Sequence, residues 1–232
     1  MHTWSAGLAL VGALVAFAAA QADPVATIQP LSQAQRAAMT GGAWRPECPV
    51  PLDDLAAVTV PYVDFEGAGR TGTLVIHKRF AGDVAAIFTE LHQAAFPIRI
   101  ILPWENFGDR YAEHDATVGY YCRRAQDAPE SWSGHAYGVA IDINPLENPF
   151  LDAQLGWWPA GTDKNAPRDG GIGKVAVGSP AFLAFTRHGW AWGGFYPGVT
   201  DYMHFYKSLV GFTPNPLERA YEAPTLTYVP SR

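Results

Sequence analysis

Asp142 lies between Ile141 and Ile143, in an apolar run that reads as buried strand. A carboxylate buried there without a partner is costly, so the fold has to deliver a counter-charge to it. A divalent metal is one such partner, and a salt bridge to Arg123 or Arg124 is the other. Seven residues earlier, in Ser133-Gly134-His135-Ala136-Tyr137-Gly138-Val139-Ala140-Ile141-Asp142, an imidazole opens a stretch of small residues expected to continue as strand.

A second polar pair follows downstream. Gly189-Trp190-Ala191-Trp192-Gly193-Gly194 precedes Asp201-Tyr202-Met203-His204-Phe205, which sets a carboxylate three residues ahead of another histidine. Two histidines and one carboxylate form a known catalytic zinc set, with neutral nitrogens and one anion holding the ion and a fourth position left open. A hydrolase of this kind also needs a carboxylate that binds no metal, to take a proton from water and hand it to the leaving amine, and Asp201 is the candidate. Taken singly, a histidine is more often a hydrogen-bonded structural residue, and a domain in which Asp142 pairs with arginine and binds no metal stays open as an alternative. His77, His92 and His188 show no matching carboxylate pattern and are expected to be structural or exposed. Trp190 and Trp192 are expected to be core aromatics.

The remainder of the chain supplies one domain's worth of core. Of 232 residues, 48% are hydrophobic and only 16% charged, enough for one substantial interior. The formal charge of −6 offers no basic field for phosphates, so nucleic acid is not expected as a partner. Residues 1–22 read as an export signal: Trp4 to Ala20 carry no charge, and small residues end the run at Ala18-Ala19-Ala20-Gln21-Ala22. A retained membrane anchor competes with this reading, because no Lys or Arg precedes the apolar run. In an exported protein the two cysteines, Cys48 and Cys122, most simply form one disulfide, with two unpaired buried thiols as the alternative.

Residues 23–44 read as a linker and a short helix, which starts at a capping box formed by Ser32 and Gln35 and runs to about Met39. Val58, Val60 and Tyr62 alternate as a strand, and Leu74 to His77 continue in β style. From Gly82, the residues Val84, Ile87, Phe88 and Leu91 fall on one helical face, and Pro97 closes the segment. Ser179 and Pro180 open another helix with Phe182 and Phe185 inward and Gly189 as its stop. Helices that do not recur between every pair of strands argue for an α+β fold, an antiparallel sheet with helices packed to one side.

The segment Ser133 to Asp142 resembles the S-x-H-x-x-G-x-A-x-D signature of the D-alanyl-D-alanine carboxypeptidase family of zinc peptidases, which includes phage endolysins that cut L-Ala to D-Glu bonds. The likeness extends to Cys48-Pro49-Val50-Pro51-Leu52-Asp53-Asp54-Leu55, Phe96-Pro97-Ile98, Tyr137 to Pro149 and Gly189 to Phe205, covering roughly residues 45–207. The resemblance implies a Hedgehog/DD-peptidase-like fold, a zinc peptidase domain over residues 45–210 and a C-terminal extension at 211–232. It implies Zn2+ held by His135, Asp142 and His204, Asp201 as catalytic base, and Arg123 as the cation that holds substrate and supports the oxyanion. Ser133 is expected to donate a hydrogen bond to substrate or ligand; a turn role for Ser133 and a surface role for Arg123, with Arg124 in its place, remain the alternatives. Peptidoglycan stem peptides, met outside the cytoplasm in a secreted or periplasmic setting, would be the substrates, with no stable membrane insertion after signal cleavage. A silent zinc-stabilised wall-binding module is the rival of another class. The family branch usually reads Asn-Thr-Ser-Ala-Phe-Asn-Cys-Arg where this chain has Ala116-Thr117-Val118-Gly119-Tyr120-Tyr121-Cys122-Arg123, so two polar side chains are replaced near the expected site.

Overall fold

The computed structural model describes residues 24–126, 128–152, 154, 156–196 and 198–208, so the expected export signal (1–22) and C-terminal extension (211–232) lie outside the described residues. The chain opens with strand β1 (Thr27–Pro30), then helix α1 (Gln33–Met39). Thr27–Pro30 was expected to be linker but pairs antiparallel with the next strand, which offers it a free edge. Ser32 Oγ accepts the Gln35 backbone N–H at 3.2 Å and Gln35 Oε1 accepts that of Ser32 at 2.9 Å, completing the capping box.

Strands β2 (Leu55–Val63) and β3 (Gly69–His77) form an antiparallel hairpin, with Leu55 opposite His77 and Val63 opposite Gly69. Both its faces are covered. On one, Val58, Val60, Tyr62, Leu74 and Ile76 meet helix α2 (Ala81–Gln93) through Val84, Ile87, Phe88 and Leu91. Each of those four helix residues is fully buried, and each such burial is worth about 1.5–3 kcal/mol. On the other face, Leu55, Ala57 and Val75 cluster with Met39 of α1, Val50, Tyr120 and Cys122. The later helix at Pro180–Arg187 joins the same cluster as α2 through Phe182 and Phe185, so the two longer helices share a side, as expected for the α+β class, while short α1 helps cover the opposite one.

Short strands follow: β4 (Ile100–Ile101), β5 (Ala116–Thr117), β6 (Ala140–Asp142), β7 (Phe150–Asp152) and β8 (Gly156–Trp158), then helix α3 (Pro180–Arg187), β9 (Ala191–Trp192), β10 (Thr200–Asp201) and β11 (His204–Tyr206). Ser179 Oγ caps α3 by accepting from Phe182 N–H. Instead of one continuous sheet, the described residues form three three-stranded antiparallel sheets, β1-β2-β3, β10-β7-β8 and β6-β11-β9, with β4 and β5 paired in parallel. Turns and prolines interrupt the second half too often for longer strands. Phe185 of α3 stacks on Phe205 of β11 at 4.0 Å between ring centroids, which joins the β6-β11-β9 sheet to the helical side of the main core. Trp190 and Trp192 lie in that core, nearly inaccessible.

Cys48 and Cys122 are joined in a disulfide between positions 74 apart in sequence. Cys122 is also held by its N–H to the Ala43 carbonyl at 2.9 Å and by Arg45 Nη2 on its own carbonyl at 3.1 Å. The residue that follows, Arg123, thus departs from a firmly anchored point. A second tie holds the opposite side of the same region: buried Asp115 accepts the Leu146 N–H at 2.9 Å, linking the loop after β6 to the segment before β5.

Candidate metal centre

Three elements deliver the polar cluster. Asp142 ends β6 and His204 begins β11, and the two are direct partners in the antiparallel register. Asp142 also exchanges both backbone hydrogen bonds with Val118, at 3.0 and 3.1 Å, so its main chain is satisfied on that side as well. His135 comes from a tight turn, Gly134–Tyr137, where strand was expected. Ser133 caps that turn, its Oγ accepting the His135 N–H at 3.3 Å, and Gly138 ends it with φ +66°. A Cβ on Gly138 would sit 2.6 Å from the backbone nitrogen of His77, so only glycine fits where the turn meets the end of β3. Regular strand resumes only at Ala140.

The three side chains converge. His135 Nε2 lies 3.2 Å from Asp142 Oδ1 and 3.2 Å from His204 Nδ1, and His204 Nδ1 lies 3.0 Å from Asp142 Oδ1. All three residues are buried. His135 Nδ1 is 2.6 Å from the Gly119 carbonyl, to which it can only donate, leaving Nε2 with its lone pair turned toward the other two atoms. Burial holds the His135 imidazole below its ordinary pKa, and so neutral. Burial by itself would raise the Asp142 carboxyl, but the two imidazoles beside it outweigh burial and keep the group well below the usual carboxylate range. The His135 lone pair and the Asp142 oxygen facing each other at 3.2 Å call for a proton or a metal cation between them. Tetrahedral ligands about 2.0–2.1 Å from zinc stand roughly 3.3 Å apart, so the triangle suits such an ion.

Asp142 and His204 open onto a cleft of about 260 Å³ that Arg123, Ser133 and Asp201 also line, with Tyr121, Phe150, Trp158 and Tyr196 as its aromatic walls. Asp201, half-buried, is held in β10 opposite Phe150 of β7. Gly193 lets that strand pass close, since a Cβ there would meet the Asp201 carbonyl at 2.7 Å. Arg123 donates from Nε to the Tyr121 hydroxyl at 3.2 Å and from Nη1 to the Arg124 carbonyl at 3.1 Å. Burial works against its charge, but Tyr121, Tyr111 and Asp142 around it prevail and raise its pKa above the ordinary arginine value. Arg124 turns away: its Nη1 donates to the Glu130 carbonyl at 3.0 Å and its guanidinium covers the Trp132 ring at 3.7 Å. Neither arginine is the ion-pair partner of Asp142, whose side chain instead faces His135, His204 and Tyr111.

Two residues of the centre were not singled out from the sequence. Tyr111 donates to Asp142 Oδ2 at 2.7 Å, and Tyr121 sits 3.0 Å from the Tyr111 hydroxyl. Tyr121 had a signal, since it stands where the family branch usually has asparagine; Tyr111 had none. Burial raises both phenols, Tyr121 to about 12 and Tyr111 well above its ordinary value, so both hydroxyls keep their protons.

Residues 126–207 match the sequence profile of a family described as D-alanyl-D-alanine carboxypeptidase. Ser133, His135, Asp142, Asp201 and His204 all fall inside the matched segment. No curated protein and no solved structure matches the chain. Among the described residues no helix is long and apolar enough to cross a membrane.

Proposed function

We propose that the chain is an exported zinc peptidase acting on peptidoglycan stem peptides, of the D-Ala-D-Ala carboxypeptidase or the L-Ala-D-Glu endopeptidase type. The observation that carries this is the triangle of His135 Nε2, Asp142 Oδ1 and His204 Nδ1, two imidazole nitrogens and one carboxylate oxygen at the edge of the cleft. When bound, a zinc ion supplies Lewis acidity to the scissile carbonyl and to the attacking water.

The chain's own groups do the rest. Asp201 takes a proton as water adds to the carbonyl carbon, then passes it to the amine as the C–N bond breaks, with no covalent intermediate. Arg123 faces the developing oxyanion with a charge that no physiological pH removes. Ser133, on the wall of the same cleft, offers its hydroxyl hydrogen to the peptide while its oxygen caps the His135 turn. The aromatic walls exclude water and bury the apolar parts of the stem peptide. The disulfide agrees with work outside the cytoplasm.

The test is mass spectrometry of purified peptidoglycan and its stem peptides after incubation with the protein, with zinc and with a chelator. New termini that appear only with metal identify the bond: loss of terminal D-Ala marks a carboxypeptidase, and cleavage after L-Ala an endopeptidase. Near-stoichiometric zinc without cleavage of any wall chemotype would make the chain a silent wall-binding module. Absence of bound zinc, or zinc kept in His204→Ala, would refute the metal centre itself.

A further inference from the structure

The two oxygens of Asp142 have different surroundings. Oδ1 faces the nitrogens of His135 and His204, at 3.2 and 3.0 Å, whereas Oδ2 accepts the Tyr111 hydroxyl at 2.7 Å. Beyond Tyr111 the Tyr121 hydroxyl follows at 3.0 Å, and Arg123 Nε lies 3.2 Å from Tyr121. The donor sense of this chain is forced. An ionised carboxylate only accepts, so Tyr111 must spend its single proton on Asp142 and accept from Tyr121, which in turn accepts from a guanidinium that can only donate.

Neither ring is free to swing out of line. Tyr111 is packed against Tyr121 at 5.4 Å and Trp158 at 5.9 Å between centroids, and its carbonyl accepts the Ala116 N–H at 2.9 Å. Tyr121 is stacked on Trp104 at 5.9 Å and tilted against His135 at 4.5 Å. Both tyrosines are buried.

We propose that Tyr111 is a positioning residue of the metal centre: its hydroxyl engages Asp142 Oδ2 so that the carboxylate ligates through Oδ1 alone, and Tyr121 carries the same line of hydrogen bonds to Arg123. The inference rests on the zinc reading above. It gives the two tyrosines separable duties. Tyr111 controls how the metal is held, and Tyr121 controls where the substrate-holding guanidinium stands relative to it.

The experiment compares zinc affinity, by competition with a chromophoric chelator, in the wild type and in Tyr111→Phe, Tyr121→Phe and Tyr120→Phe. Tyr120 is the control, a buried tyrosine of the same segment whose hydroxyl has no hydrogen-bond partner. Tyr111→Phe is expected to weaken zinc binding about 10–100-fold, as is usual when a group supporting a metal ligand is lost. Tyr121→Phe should leave zinc affinity unchanged while raising KM for a stem peptide, and Tyr120→Phe should change neither. The cobalt(II)-loaded Tyr111→Phe protein should show a weaker visible band than the wild type, as a second carboxylate oxygen joins the ion, a change that a merely loosened fold would not cause. Wild-type zinc affinity in Tyr111→Phe, an unaltered cobalt spectrum, or an equal loss in Tyr120→Phe would overturn the inference. A wild-type protein that takes up no zinc would instead overturn the zinc reading, and the inference with it.

Discussion

His135 is aimed by a backbone atom: its Nδ1 lies 2.6 Å from the carbonyl of Gly119, and this contact leaves Nε2 facing Asp142 and His204. Gly119 cannot carry a side chain, because a Cβ there would lie 2.4 Å from the Val75 carbonyl of β3. Gly119→Ala must therefore push the segment off β3 and shift the carbonyl that orients the imidazole. We expect a loss of about 1–3 kcal/mol in stability, the usual cost of overpacking, together with reduced metal uptake. Thermal unfolding and metal analysis of the same sample check both.

Asp201 and the metal ligands should separate cleanly. Asp201→Asn removes the proton acceptor and leaves His135, Asp142 and His204 in place, so zinc content should hold while kcat falls about 10²–10⁴-fold. Steady-state kinetics beside metal analysis decide it; unchanged kcat would remove Asp201 from the mechanism.

Glu147 and Asp115 give stability a pH dependence of their own. Burial, and then the nearby Asp115, push the Glu147 carboxyl up to about 8, and burial raises Asp115 as well. A carboxyl with a raised folded-state pKa binds a proton more tightly in the native than in the unfolded chain. Its contribution is complete below the ordinary glutamate value of 4.5 and is lost as pH rises toward about 8. Stability should decline over that window, and Glu147→Gln should flatten the decline. Denaturant titrations at a series of pH values measure the slope, which should stay as steep as in the wild type if Glu147 is ionised throughout.

The Cys48–Cys122 link closes a long loop across the hairpin. A loop of this length is worth about 4 kcal/mol through the unfolded state, so the double Cys→Ser variant should lose roughly that much in guanidinium unfolding. Arg123 follows Cys122 directly, so the same variant should raise KM at temperatures where it remains folded. Unchanged KM would show that the Ala43 and Arg45 contacts anchor the arginine without the disulfide.

Much of the scaffold was legible because its signals are local. Val84, Ile87, Phe88 and Leu91 recur at the helical period, and the caps at Ser32 and Ser179 form as their spacing implied. Residues 134–137 were misread because small residues have no period, and the turn depends on the fit of Gly138 against His77, which lies 61 positions earlier at the end of β3. Thr27–Pro30 looks like a linker until β2 lends it an edge. At the centre, the carboxylate stranded between isoleucines announced that a partner was needed, and the family likeness proposed which one. Tyr111 stayed invisible: it lies in an irregular segment, and its hydroxyl matters only because of an aspartate 31 residues later.

The pairing of His204 with Asp142 across β11 and β6 has a consequence for when the chain becomes competent. Side chains alternate along a strand, so a slip of one residue would turn either ligand to the opposite face. The triangle thus exists only after a strand near residue 204 has found its correct register against one near residue 142, with the turn at His135 already seated on β3. A half-folded chain has no assembled triangle, so whatever chemistry these three side chains support arrives only with the finished fold.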